Sequence, residues 1–324
     1  MWPFQSKPKA RPRLVLHVGT HKTGTTSIQL ALRDNRATLL KAGICYPDPG
    51  RDPHPDLPAH NFIYRATLDG PEVMAAERAL IWEEFRASRA NCLILSEEGL
   101  SLPRDKLQAF FEPWKDVFDI SIVCYLRRQD RYAESLYSQY VREGKDIALG
   151  TIESFLEVPM IAARFAYHRN LTRWDSFGPV HAVNYDLLKS DALHRPILDA
   201  AAPGQTLKIA PPPQANVSPP AGAIEVIRQI NRLGLDYALW PLVTRLRRAP
   251  PEALVPMLSR RGMMGFSLRQ RFMAGLAPAN QTLAEARGVV FSPDMPDEPA
   301  TPFHVDIPEA LIRDLAAASL AGKP

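Results

Sequence analysis

The segment that most restricts the fold is the apolar run Leu14-Val15-Leu16-His17-Val18, which passes without a break into Gly19-Thr20-His21-Lys22-Thr23-Gly24-Thr25-Thr26. A short apolar run ending in glycines and hydroxyl residues reads as a buried strand, a tight loop and the first turn of a helix. Gly19 and Gly24 let the backbone turn and approach a ligand without a Cβ in the way. The first amides of the helix then point at that ligand, Lys22 adds a full charge, and Thr25 and Thr26 offer hydroxyls. Such a loop predicts a bound phosphate-like anion at the edge of an α/β sheet.

The common triphosphatase loop has the form G-x-x-x-x-G-K-[ST]. Gly19 and Gly24 keep that glycine spacing, but Thr25 stands where the lysine belongs, and the lysine is two residues before the second glycine, at Lys22. Lys22-Thr23-Gly24-Thr25-Thr26 instead resembles, position by position, the 5′-phosphosulfate loop of the PAPS-dependent sulfotransferases, Lys-[Ser/Thr/Gly]-Gly-Thr-[Thr/Ser/Arg]. The resemblance implies a P-loop-like α/β fold, PAPS (3′-phosphoadenosine 5′-phosphosulfate) as sulfuryl donor, and Lys22, Thr23, Gly24, Thr25 and Thr26 as its 5′ contacts.

A second segment supports the first. Ile120-Ser121-Ile122-Val123-Cys124-Tyr125-Leu126 is apolar and β-branched, reads as a buried strand, and ends at Arg127-Arg128. A helix comes next, with Tyr132, Leu136 and Tyr140 four residues apart. In the family that this chain resembles, an arginine at a strand end and a serine eight residues later bind the 3′-phosphate; Arg127 and Ser135 have that spacing. Without the family, Arg127, Arg128 and Arg131 read as a solvated basic face. The glycine-rich adenosine loop of cytosolic animal sulfotransferases has no convincing counterpart here, Arg260-Arg261-Gly262-Met263-Met264-Gly265 being the nearest.

Sulfuryl transfer needs a base for the acceptor proton, a cation on the bridging oxygen and donors on the equatorial oxygens. Lys22 fits the cation and the loop supplies donors. For the base, the apolar run Cys92-Leu93-Ile94-Leu95 ends in Ser96-Glu97-Glu98, which makes Glu98 the first candidate and Glu97 the second. His60, in the loop Pro58-Ala59-His60-Asn61, is a further candidate, while His17 alternates with apolar strand residues and reads as structural. No cluster has metal-ligand spacing, so no metal is expected. A P-loop small-molecule or nucleotide kinase is the alternative enzyme, and a nucleotide-binding protein without chemistry the third reading. Sugar, lipid and small phenol acceptors all stay open.

Strands alternating with helices predict a mostly parallel sheet flanked by helices over 14–202, after a basic tail at 1–13, with a helical C-terminal extension packed on that core at 203–324. Helices are expected over 27–42, 61–88, 107–114, 187–201, 223–233, 237–248, 268–276 and 309–320, and the stretch from Cys45 to Pro58 reads as loop. Net charge is +4, which suits an anionic cofactor and is too weak to argue for nucleic acid. Three dispersed cysteines make no disulfide framework, no stretch of eighteen apolar residues is present, and the tail has no secretory apolar core. The expectation is a cytoplasmic protein; oligomeric state is not encoded in any pattern.

Overall fold

The computed structural model describes residues 10–51, 58–210, 219–294 and 303–321. Most of the basic tail, the prolines 211–213 and the sequon Asn216-Val217-Ser218 lie outside them. The chain divides into two compact units. The first comprises 1–127, 167–215 and 282–290, and the second 128–166, 216–281 and 291–324. The segment 128–166, which the sequence assigns to the core, therefore groups with the C-terminal helices.

The first unit carries one five-stranded sheet. Its strands are β1 (Arg13–His17), β2 (Ile44–Cys45), β3 (Cys92–Ser96), β4 (Asp119–Leu126) and β5 (Val180–Asn184), in the order β2-β3-β1-β4-β5. Every neighbouring pair is parallel. All five β3 residues are buried, and so are Leu14–His17 of β1, as expected of parallel strands covered on both faces. The short edge strand β2 falls where the sequence reads as loop; two residues are too few to leave a periodic signal.

The helices of this unit are α1 (Thr25–Asp34), α2 (Arg36–Lys41), α3 (Asn61–Asp69) and α4 (Pro71–Ser88), with α8 (Tyr167–Thr172) and α9 (Arg195–Ala201) later in the chain. On one face, Val15, Ile94, Val123 and Tyr125 pack with Ile28 and Leu32 of α1 and Ile197 and Leu198 of α9. On the other, Cys124 and Leu126 look toward Leu171 and Trp174 at the end of α8. Gly24 is the N-cap of α1, at φ 72°, so a glycine is needed there.

Several expected helices are interrupted, each for a local reason. The helix over 27–42 breaks at Asn35, whose side-chain amide donates to the Ala31 carbonyl at 2.8 Å. The one over 61–88 breaks at Gly70-Pro71, where φ is 119° at the glycine. The stretch 107–114 forms two 3₁₀ turns, Leu107–Phe110 and Glu112–Trp114, behind a left-handed Lys106 and around Pro113. Over 187–201 only Arg195–Ala201 is α-helical, with Pro196 in its first turn.

The second unit is helical: α5 (Gln129–Arg142), α6 (Ile152–Glu157), α7 (Pro159–Ala162), α10 (Ala221–Arg232), α11 (Leu239–Arg248), α12 (Val255–Leu258) and α14 (Glu309–Ala321). Helix α13 (Phe266–Arg287) passes from it into the first unit. The unit is pinned by buried charge. Asp130 accepts from Arg128 at 2.7 Å and also pairs with Arg269 at 2.5 Å, which in turn reaches Glu134 at 2.8 Å. The two arginines hold the Asp130 carboxyl below its ordinary range despite its burial. No helix among the described residues is long and apolar enough to cross a membrane, and Cys45, Cys92 and Cys124 are free thiols, all buried.

The turn into β5 tests the sheet. A Cβ on Gly178 would stand 2.0 Å from the Ile120 carbonyl oxygen of β4. Gly178→Ala should force the two strands apart and cost about 2 kcal/mol or more, read as a fall in Tm of about 5 °C or more. An unchanged melting curve would mean that β5 does not pair with β4 in this register.

Candidate functional site

The loop that opens the sequence lies at the carboxyl end of the central strand β1, the edge at which open parallel sheets gather their ligands. Its first residues stay in the ladder. Val18 N–H donates to the Val123 carbonyl at 3.0 Å, Tyr125 N–H to the Gly19 carbonyl at 2.6 Å, and Thr20 N–H to the Tyr125 carbonyl at 2.8 Å. Beyond Thr20 the chain leaves the sheet. Gly19, Lys22 and Gly24 all have positive φ, at 97°, 65° and 72°. A left-handed lysine is unusual, and it places Lys22 at the turn of the loop, half exposed. Thr26 is exposed and Thr25 buried, both in the first turn of α1.

Thr23 plays a different part from its neighbours. It is fully buried, and its hydroxyl donates to the Thr20 carbonyl at 2.5 Å. The side chain closes the loop on itself, so only the Thr23 backbone is presented to a ligand. Gly24 is squeezed from behind: a Cβ there would stand 2.8 Å from Leu193 Cδ1 and 3.4 Å from Tyr185 Cε2.

Arg127 ends the next strand, β4, and reaches this loop. Its Nη1 donates to the Lys22 carbonyl at 3.3 Å, although the two residues are 105 apart in sequence. The guanidinium stands over the Tyr185 ring, 5.7 Å from its centroid. Its Nε is buried with no hydrogen-bond acceptor, 4.0 Å from Asp186 Oδ1. Arg127 is thus both a clasp on the lysine loop and a cation with a donor to offer. Ser135 lies half-buried in α5, in the second unit. Tyr185 and Asp186 carried no motif in the sequence. Their one signal is position: they are the first two residues past the apolar run of β5, where a parallel strand delivers side chains to the site edge.

The acidic pair comes from the strand on the other side. Register pairs His17 of β1 with Ser96 of β3, and Glu97 N–H donates to the His17 carbonyl at 2.9 Å. Glu98 is next in the chain, so close to the loop that a Cβ on Gly19 would sit 3.0 Å from Glu98 Cα. Its Oε2 lies 3.5 Å from the Gln29 amide nitrogen of α1. Glu98 is partly exposed, which leaves it open to a ligand.

Glu97 points inward. Its Oε1 accepts from Gly99 N–H at 2.7 Å, while Oε2 is buried with no hydrogen-bond partner. Burial, and after it the charge of Glu98, pushes its carboxyl up to about 8, against weaker pulls from the Gly99 amide and Arg65. Glu97 is therefore held neutral at pH 7, and of the two only Glu98 is offered as a carboxylate base.

His60 requires a correction. It is fully buried, and both ring nitrogens are engaged: Nδ1 accepts from Ser96 N–H at 3.1 Å, and Nε2 lies 3.2 Å from the Pro47 carbonyl. Nδ1 accepting fixes the proton on Nε2. Burial, then the charge of Arg51, holds the ring neutral, with its pKa lowered to about 3. His60 ties its loop to the end of β3 and presents no lone pair to a substrate. His17 is equally buried, bonded through Nδ1 to Ser96 Oγ at 2.7 Å.

Among the described residues no group of three or more His, Cys, Asp or Glu side chains could hold a metal ion. The site is a loop of backbone donors with two cations, with Glu98 on one side and Asp186 on the other. It can bind an oxyanion, neutralise charge on a departing oxygen and take up one proton.

No protein-family model and no curated protein matches the chain. Among solved structures, a sulfotransferase from Alicyclobacillus acidocaldarius aligns over 87% of this chain and 98% of its own, at 15% identity and a TM-score of 0.43. A likeness that loose carries no weight in assigning the site.

The state of Glu97 has a signed consequence for stability. Its folded pKa, about 8, lies above the ordinary 4.5. The native state therefore holds the extra proton between those values, and stability falls as pH rises from 4.5 to 8. Glu97→Gln keeps the bond to Gly99 without a charge to bury. It should flatten that slope and be the more stable protein at pH 8.5, by on the order of a few kcal/mol. Parallel denaturation midpoints at pH 5 and 8.5 would show instead that Glu97 ionises normally.

Proposed function

We propose that this chain is a sulfotransferase that moves a sulfuryl group from PAPS to a hydroxyl or amine acceptor by in-line displacement. The observation that carries the reading is the Arg127–Lys22 clasp: a cation from the end of β4 bonded to the lysine loop at the end of β1. A triphosphatase loop has no need of an arginine there, whereas a nucleotide with a second phosphate does. The residues fit that cofactor on three counts. The backbone amides of the first turn of α1 have no side-chain cap. Gly24 allows close approach. The buried Arg127 Nε lacks an acceptor, which a 3′-phosphate oxygen would supply. Ser135, eight residues after Arg127, is its partner by sequence pattern.

When bound, PAPS supplies a sulfuryl group whose bond to the 5′-phosphate oxygen breaks as the acceptor oxygen bonds to sulfur. Lys22 neutralises the charge that grows on the oxygen left behind. The loop amides and the Thr25 and Thr26 hydroxyls hold the equatorial oxygens. Glu98 takes the acceptor proton, and the neutral Glu97 beside it adds no competing negative charge.

A kinase is the second reading, and one observation favours it. The Glu97-Glu98 pair at the end of β3, against Gly19, is a place where a carboxylate could share a divalent cation with a triphosphate. Thr25 in place of the loop lysine weighs against it.

The nucleotide decides between them. Adenosine 3′,5′-bisphosphate should bind about tenfold to a hundredfold more tightly than 5′-AMP by calorimetry, the worth of a charge-assisted fork, and Arg127→Ala should erase the difference. Equal affinities in the wild type, or protection against heat only by ATP with magnesium, would overturn the sulfotransferase reading.

Turnover separates the two charged side chains from the scaffold. Lys22→Ala and Glu98→Gln should each lower kcat by on the order of a hundredfold or more while weakening nucleotide binding far less, because both act on charge that appears only in the transition state. Near-normal turnover in either variant would remove that residue from the mechanism.

A further inference from the structure

Helix α11 lies wholly in the second unit and has two faces of opposite character. Leu242, Val243 and Leu246 are buried, and the helix packs against α14. The other face carries Trp240, Thr244, Arg247 and Arg248, at i, i+4, i+7 and i+8, with Pro241 and Arg245 beside them. All six are exposed, and Trp240 has 50% of its surface in water.

The charge on this face has one sign. From Tyr237 to Pro251 the chain has three arginines and no aspartate or glutamate. One arginine in the last turn would serve the negative end of the helix dipole; three leave a positive field over the outer face. Helix α14 adds no charge where it meets the start of α11. There Ala238 N–H donates to Ser319 Oγ at 3.0 Å, and α14 is uncharged from Leu315 to Ala321. Leu320, next to that serine, is 53% exposed. The acidic residues of α14 come earlier in the helix: Glu309, paired with Arg313 at 2.6 Å, and Asp314.

This combination selects a partner. A single exposed apolar side chain is ordinary, but here an indole and an aliphatic side chain stand at the start of a helix only about 15 Å long that ends in arginines. A nucleic acid or an acidic glycan would pair with the arginines and stack on the indole, but would have nothing for Leu320. The headgroup layer of an anionic bilayer takes all three: lipid phosphates for the guanidinium groups, the interface for the indole, and the acyl boundary for the leucine.

We infer that the outer face of α11, together with Leu320, docks this chain on an anionic lipid surface. The attachment is peripheral and reversible, each arginine near such a surface contributing about fivefold to partitioning at low ionic strength. It uses no residue of the lysine-loop site, so it stands or falls apart from the sulfotransferase reading.

The test uses the full chain with two sets of vesicles, one of pure phosphatidylcholine and one of equal parts phosphatidylserine and phosphatidylcholine. Cosedimentation should show at least about tenfold tighter binding to the anionic set, an advantage lost at about 0.5 M salt. Trp240→Ala should weaken that binding, and Arg245→Gln with Arg248→Gln should weaken it by about tenfold or more. Thr244→Glu sets a negative charge on the same exposed face and should weaken it too, with every arginine still in place. Arg86→Gln with Arg89→Gln, both exposed at the end of α4, removes the same charge from the first unit and should leave binding unchanged. Melting curves like that of the wild type certify the fold of each variant, and Thr244→Glu carries the test where the arginine pair fails to fold. Equal binding to both vesicle sets, binding that no α11 variant alters, or a loss matched by the α4 pair would overturn the docking face. Tighter binding to heparin, polyglutamate or single-stranded DNA than to anionic vesicles would overturn the lipid surface as its occupant.

Discussion

The site depends on the pairing of β1 with a parallel neighbour on each side. β3 lies in register with it from Arg13↔Cys92 to His17↔Ser96, and β4 from Arg13↔Asp119 to His17↔Val123. Parallel strands point their carboxyl ends the same way, so three separate turns leave the sheet at one edge: the lysine loop, the Glu97-Glu98 turn and Arg127. The ladder with β4 continues three residues past the last β1 position, through the Val18 bond to Val123 and the Gly19 and Thr20 bonds to Tyr125. The loop is therefore fixed at its root by backbone geometry and becomes irregular only where Lys22 turns.

Packing behind the edge sets how far the loop can move. Tyr125 is fully buried, and its phenol donates to the Leu193 carbonyl at 2.6 Å. Leu193 and Tyr185 in turn crowd the Cα of Gly24. A larger residue at Gly24 would meet an aliphatic and an aromatic side chain on one side and a left-handed backbone on the other. Preorganisation of this kind matters because donors already in place cost no rearrangement when charge develops.

Dryness at the edge sorts the titratable groups into distinct tasks. His17 and His60 are buried deeply enough to stay neutral; His17 bonds Ser96 through Nδ1, and His60 spends both ring nitrogens on tying its loop to the end of β3. Glu97 is kept protonated by the same burial and by its neighbour. Glu98, one residue on, is partly exposed. Adjacent residues on an extended chain project to opposite sides, so a single step along the backbone separates a structural acid from a candidate base.

The sequence alone determined the local parts. The apolar runs at 14–17, 92–95 and 120–126 are strands because continuous burial on both faces needs continuous hydrophobicity, and the glycine spacing marks the loop because positive φ at Gly19 and Gly24 has no cheap substitute. Lys22, Glu98 and Arg127 were all legible as ends of such runs. What the tertiary structure decided lay in contacts between distant residues. His60 looked like a loop histidine until the amide of Ser96 and the carbonyl of Pro47 took both its nitrogens. Thr23 stood in the loop motif, and only the fold shows its hydroxyl turned back to the Thr20 carbonyl. The state of Glu97 and the Arg127 clasp on Lys22 arise from strand order and register. Propensity and periodicity act over a few residues, whereas burial, pKa and hydrogen-bond partners at this edge are set by distant groups, Arg127 and Lys22 among them, 105 positions apart.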